Sequence, residues 1–159
     1  MLENLVATQQ DVHFQAVEQI HLPAYKGSTF RGAFGHAFKH VACALKRNTC
    51  ETCLLRERCA YSVCFETPVP QEAEVLRKYP YAPHPFILEP PLDGKRVYEP
   101  GEEFCVRLYL VGKAEAFLPH FIYAFEEMGN RGFGRDYAKA MLARVTARTN
   151  GTDATVYSG

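Results

Sequence analysis

The sequence holds no apolar run approaching the roughly 20 residues that cross a bilayer, so neither a membrane-spanning helix nor a membrane partner is expected. The N-terminal stretch, MLENLVATQQDVHFQ, lacks a basic segment followed by an apolar core and a small-residue cleavage site. A secretory signal is therefore not expected, and with Met1 in place the cytoplasm is the expected location. Excess charge is missing too: 18 Lys and Arg balance 18 Asp and Glu. A formal net charge of zero speaks against a general polyanion binder. There is no internal repeat and no low-complexity segment.

What is present is ordinary globular composition, 47% apolar and 23% charged over 159 residues, enough for one domain and short for two. The charge that cancels overall is unevenly placed. From His21 to Cys50 there are Lys26, Arg31, Lys39, Lys46 and Arg47 and no acid; from Gly129 to Arg148, Arg131, Arg135, Lys139, Arg144 and Arg148 face Asp136 alone. A neutral protein can carry a local cationic groove in this way, although two ordinary solvated faces give the same count.

Hydropathy patterning predicts an opening strand over Val12–His21, ended by Pro23, and a helix capped by Ser28 or Thr29 and running to about Lys46. Phe30, Phe34, Phe38, Val41 and Leu45 form its apolar stripe; Gly32, His36, Lys39, His40, Cys43 and Arg47 gather opposite. HPFILEPP reads as a short strand. EFCVRLYLVG alternates Phe104, Val106, Leu108 and Leu110 with Cys105, Arg107 and Tyr109, the mark of a half-buried strand. Phe117–Met128 reads as a second helix with Pro119 in its first turn and Gly129 as a left-handed cap. GNRGFGR is then a glycine loop, and a last strand covers Ala140–Ala147. This order predicts an α+β, ferredoxin-like (β-α-β-β-α-β) domain over 1–150. Residues 43–64 form a Cys-rich insertion after the first helix, and residues 151–159 read as a tail opening a second domain.

Five of six cysteines fall between Cys43 and Cys64, which in a cytosolic chain suggests metal coordination before disulfides. Cys50 and Cys53 form a C-x-x-C. With Cys43 and Cys59 they give the best four-thiolate set for a structural zinc, Cys64 being the alternative fourth ligand. An iron–sulfur cluster uses the same donors, and buried cysteines that merely pack are the plain alternative. The glycine loop contains G-x-x-G-x-G between a helix and a strand, the reverse of the dinucleotide-binding order. Gly129, Gly132 and Gly134 would let backbone amides approach a phosphate, with Arg131 and Arg135 supplying charge. Phe133 would either stack on a base or anchor the loop.

Taken in order, YKGSTFRGAFGHAFKHVAC, the C-x-x-C-x-x-x-x-x-C-A-Y run with Phe65-Glu66 after it, HPFILEPP, Y-x-P-G-E before a strand ending in LVG, and FLPHFIYAFEEMGNRGFGR resemble one family. The chain resembles the precursor-crRNA-processing endoribonucleases of the CRISPR-associated RAMP superfamily, from about Val12 to Val145. The resemblance implies a glycine-rich loop contacting RNA and cleavage of repeat RNA without a catalytic metal. It also implies two such domains in tandem, of which this chain would be the N-terminal half. Family members commonly use a histidine near the first helix, assisted by Tyr or Lys. Here the candidates are His40, then His36, with Lys46 assisting. Tyr25, Lys26, Arg31 and Lys39 join Gly129, Arg131, Gly132, Phe133, Gly134 and Arg135 as candidate RNA contacts. The expected partners are repeat RNA or crRNA and other CRISPR effector subunits, with no direct DNA contact. A non-catalytic crRNA-binding subunit and a zinc-stabilised interaction domain are the competing readings.

Overall fold

The computed structural model describes residues 5–46, 49–69, 73, 75–76, 78–149 and 151–159. Arg47, expected on the polar face of the first helix, lies outside them, as does part of the loop after Phe65. The chain forms a mixed α+β fold. Its elements are β1 (Ala7–Ala16), β2 (Ile20–His21), α1 (Gly27–Ala42), β3 (Phe86–Glu89), β4 (Val97–Tyr98), β5 (Glu103–Val111), α2 (Leu118–Arg131), β6 (Ala140–Thr149) and β7 (Thr152–Ser158). A five-stranded antiparallel sheet has the order β3-β5-β1-β6-β7, and β2 pairs with β4 apart from it.

Alternation dictates which face is covered. Gln10, Val12, Phe14 and Ala16 of β1 are buried, and so are Phe104, Val106, Leu108 and Leu110 of β5. Val12 stands opposite both Val106 and Val145, which sets the register across the three central strands. β6 breaks the alternation: its buried residues are Ala140, Leu142 and Val145, because the pairing with β1 slips by one residue at His13/Phe14. The extra residue, Ala143, is a bulge that reverses which side chains face out.

Both helices cover the face that carries Phe14, Phe86 and Phe104. Phe30, Phe34 and Phe38 of α1 meet Phe133, Phe125 and Phe121 at ring-centroid distances of 5.2, 4.6 and 4.7 Å. The partners descend in number as α1 advances, so the helices run antiparallel. Phe14 stacks on Phe104 at 5.4 Å beneath them. Each such ring removes enough apolar area from water to contribute about 1.5–3 kcal/mol.

Several boundaries differ from the sequence expectation. The first strand starts at Ala7 and stops at Ala16, where Val17 and Glu18 both donate to the Lys139 carbonyl. α1 begins at Gly27, so Ser28 and Thr29 lie inside its first turn and Lys26 holds the cap position without a side-chain bond. The helix ends at Ala42, short of Lys46, and Leu45 is exposed. Lys46 takes a left-handed backbone and its Nζ donates to the His40 carbonyl at 2.6 Å, serving an oxygen that has lost its intrahelical partner. α2 runs past Gly129 to Arg131, and the cap is Gly132, at φ 98°. Residues 152–158, within the stretch read as a tail, pair with β6 as an edge strand of the sheet.

Gly129 lies within the helix, and its lack of a side chain has a tertiary reason: a Cβ there would collide with the Ala140 carbonyl oxygen. Gly32 of α1 is exposed with nothing near its missing Cβ. Gly129→Ala should cost about 1–3 kcal/mol through overpacking. Gly32→Ala should add roughly 0.5–1 kcal/mol through helix propensity. Urea unfolding midpoints check the pair, and similar midpoints for both variants would contradict the close approach of α2 to β6.

Candidate functional site

His36 and His40 are one turn apart on α1 and both exposed. His40 does not stand alone. Its Nε2 lies 3.8 Å from Oε1 of Glu127 on α2, and the same oxygen accepts a 2.7 Å bond from Arg131 Nε. Lys46 rests on the His40 carbonyl, and Lys139 Nζ donates to the Arg131 carbonyl at 2.9 Å. His40, in the last turn of α1, thus meets Glu127 and Arg131 of the last two turns of α2, and with Lys46 and Lys139 on the adjoining carbonyls they form a solvent-facing cationic patch. Exposed ion pairs of this kind are worth about 0–1 kcal/mol each, so the patch is available to an incoming anion at little cost.

Other predicted residues lie elsewhere. Tyr25 is 77% exposed but sits beyond the N-terminus of α1, about 20 Å from His40 at 1.5 Å per residue. Lys26 is buried, 2% exposed, with its Nζ 3.3 Å from Asp93 Oδ1; Tyr98 also donates to that carboxylate, at 2.9 Å to Oδ2. It is a core cation with an internal partner and not an RNA contact. The local sequence looks like an exposed helix entry, and the partner comes from 67 residues away.

The glycine turn also departs from expectation. Phe133 is buried against Phe14, Phe30 and Phe104, so it anchors the turn and stacks on no base. Phe133 and Ala138 exchange backbone bonds of 2.8 and 3.1 Å, closing a small hairpin. Gly129 and Gly132 are buried, and the Gly132 amide caps α2 on the Met128 carbonyl. A Cβ on Gly132 would meet the Tyr137 carbonyl oxygen at 2.0 Å, and one on Gly134 the His21 carbonyl oxygen at 2.4 Å. The three glycines therefore admit the protein's own backbone. Amides to greet a phosphate are not presented by Gly129 or Gly132, leaving exposed Arg131 and Arg135 as the turn's contribution.

Arg31 and Lys39 serve the Cys-rich segment. The Arg31 guanidinium lies 4.6 Å from the Phe65 ring centroid and 4.7 Å from that of Phe86, and Lys39 Nζ stands 5.2 Å from the Tyr61 ring. Tyr61 and Phe65 are themselves parallel at 5.1 Å. Burial in this sandwich draws the Arg31 pKa below the ordinary guanidinium value. Cys64 is fully buried in the core, its thiol pushed up to about 12 by burial and then by Cys59. It packs among core side chains. Cys43, Cys50, Cys53 and Cys59 are free and half-buried. The Cys53 amide donates to the Cys50 carbonyl at 3.1 Å, turning the C-x-x-C, and the Cys50 thiol is raised by burial, by Glu66, and by its neighbours Cys59 and Cys43. Among the described residues, no three His, Cys, Asp or Glu side chains stand close enough together to hold a metal ion.

Two features escaped the sequence reading. One is Glu127, whose only sequence signal is its four-residue spacing to Arg131. The other is the sheet face away from the helices, foreshadowed by Cys105, Arg107 and Tyr109. There Arg107 pairs with Asp11 at 3.1 Å and Glu89 at 2.7 Å, and Arg144 pairs with Glu103 at 3.1 Å. Arg144 Nη2 also reaches His13 Nδ1 at 3.4 Å; burial and then this guanidinium hold His13 below the usual imidazole range. Arg107 forms part of a shallow pocket with Glu89, Pro90, Pro91, Leu92 and Cys105. Its cations are already met by carboxylates.

Fold and site together describe an α+β domain with a cationic patch at the junction of its two helices. Comparison places it further: residues 5–159 match the AF_1859_N family model, described as an N-terminal domain, and the chain belongs to that family. It is also 28% identical over 141 residues to an uncharacterized protein of Archaeoglobus fulgidus, covering 89% of this chain. The chain spans 46% of that relative's length. Among the described residues no helix is long and apolar enough to cross a membrane.

The Arg31 sandwich generates a direct test. Arg31→Ala should lower stability by about 1–2 kcal/mol, the scale of a desolvated cation–π contact. Urea unfolding checks it; an unchanged midpoint would show that the Arg31 sandwich does not hold the Cys-rich segment to α1.

Proposed function

We propose that this domain binds CRISPR repeat RNA as the N-terminal, ferredoxin-like half of a RAMP-type endoribonuclease that processes precursor crRNA. The observation that carries the reading is the meeting of His40 and Arg131 at Glu127, with Lys46 and Lys139 beside them. It supports a phosphate-attracting surface built from the two regions that the family resemblance implicates. The strand order β3-β5-β1-β6 with α1 and α2 on one face supports the split β-α-β arrangement, to which β7 is an added edge.

On this reading His40 takes the proton from a ribose 2′-hydroxyl. The 2′-oxygen attacks the adjacent phosphorus, the bond to the 5′-oxygen breaks, and a cyclic phosphate and a 5′-hydroxyl result once that oxygen is protonated. Arg131 and Lys46 stabilise the charge that develops on the phosphate. His36, one turn away, is the second candidate base. Arg135 and Tyr25 extend the contact surface toward the N-terminal end of α1, in keeping with recognition of single-stranded RNA by backbone and splayed bases. Burial of the glycine turn favours a role in shape for those glycines, and a crRNA-binding subunit without nuclease activity would use the same patch.

The Cys-rich segment fits a structural zinc by its donor chemistry. Cys43, Cys50, Cys53 and Cys59 would hold it as thiolates, and the metal would supply the local folding free energy that this core-poor segment lacks. The location that goes with this function is the cytoplasm.

Full-length protein incubated with repeat RNA in EDTA should cut it at one position. His40→Ala should slow that step by about 10²–10⁴-fold, the usual worth of a general base, and His36→Ala far less. Unimpaired cutting by both variants would overturn the assignment. Emission spectroscopy should find about one zinc per chain, as a four-thiolate site requires, and a metal-free, well-folded protein would reject the ligand set.

A further inference from the structure

Glu127 is the carboxylate inside a patch otherwise built of His40, Arg131, Lys46 and Lys139, and its placement invites a chemical explanation. Its side chain is 23% exposed, whereas those of Arg131 and His40 are 45% and 53% exposed. A single oxygen, Oε1, faces both groups, at 2.7 Å from Arg131 Nε and 3.8 Å from His40 Nε2. The acceptor is therefore tucked between two outward-facing partners. Exposed pairs of this type add little to folding stability, so fold maintenance does not explain it. What a carboxylate oxygen offers here is what a phosphate oxygen would offer: negative charge and acceptor lone pairs at the meeting point of a guanidinium and an imidazole.

We propose that Glu127 is a specificity-setting counter-anion, occupying Arg131 and His40 in the free protein and yielding to a phosphodiester. This rests on the RNA reading of the patch. A phosphodiester has two non-bridging oxygens and can meet Arg131 and His40 separately, where Glu127 uses one oxygen for both. An anion that reaches only one of the two partners gains little by displacing it. The carboxylate thereby suppresses loose association with stray anions and favours a strand whose backbone spans both helices. No bond is made or broken; one acceptor replaces another.

The test is binding of a single-stranded RNA oligonucleotide to full-length protein by fluorescence anisotropy over a salt series. Glu127→Gln removes the charge and keeps the shape. It should tighten binding roughly 3–10-fold at low salt and steepen the log–log salt slope by about 0.7, the single-strand value for one further cation freed to pair with phosphate. In an Arg131→Ala background the gain should shrink, because the two residues act on one another. Thermal unfolding of Glu127→Gln should match wild type; were it lower, Glu127→Asp, too short to reach Arg131 in the same way, should tighten binding in the same direction. Unchanged or weaker binding by Glu127→Gln, with Arg131→Ala still weakening it, would make Glu127 a mere structural partner and overturn the proposal. If neither Arg131→Ala nor His40→Ala alters binding, the RNA reading itself fails and takes the proposal with it.

Discussion

The seam of phenylalanines between the antiparallel helices is the constraint on which the rest of the molecule depends. Phe30, Phe34 and Phe38 engage Phe133, Phe125 and Phe121 in order, and Phe14 and Phe104 receive them from the sheet. Because interiors are packed near crystal density, this seam fixes the helices in rotation as well as in position. With the phenylalanines turned inward, His36 and His40 must point out, and Glu127 and Arg131 must rise beside them. The cationic patch is thus a by-product of where the apolar stripes go.

The same seam sets the place of the Cys-rich segment. Phe65 lies against Phe34, Phe38 and Phe86, and Arg31 and Lys39 reach outward over Phe65 and Tyr61. Two cations that local sequence would leave to solvent or to RNA are spent on holding this segment to α1. The four half-buried thiols are carried at the end of a helix whose other face bears the histidines. Whatever orders those thiols also stiffens the end of α1.

Periodicity carried much of this fold. The alternation of Phe104 to Leu110 and the spacing of Phe30, Phe34 and Phe38 each report which side is covered, and the structure covers those sides. The boundaries were harder because they are decided by distant backbone. Gly129 and Gly132 are equally good caps in isolation; the stop falls at Gly132, and Gly129 inside the helix makes room for the passage of Ala140. The β6 bulge, the pairing of Lys26 with Asp93 and the burial of Phe133 arise the same way, from contacts that no local window contains. Of the candidate site, the histidines and Arg131 were legible as exposed polar residues on a defined helical face or turn. Glu127 was not, since one of two adjacent acids on α2 gains meaning only when α1 is laid beside it.

The hydrogen bond from Lys46 to the His40 carbonyl bears on how this surface can be dissected. That ammonium is at once a charge near the imidazole and the stopper of the helix that carries it. Truncating it would fray the last turn of α1 and let the imidazole wander, so a defect seen on its removal confounds two causes. Replacement by arginine, which preserves charge and reach while altering the donor geometry, separates helix termination from direct participation more cleanly than any deletion.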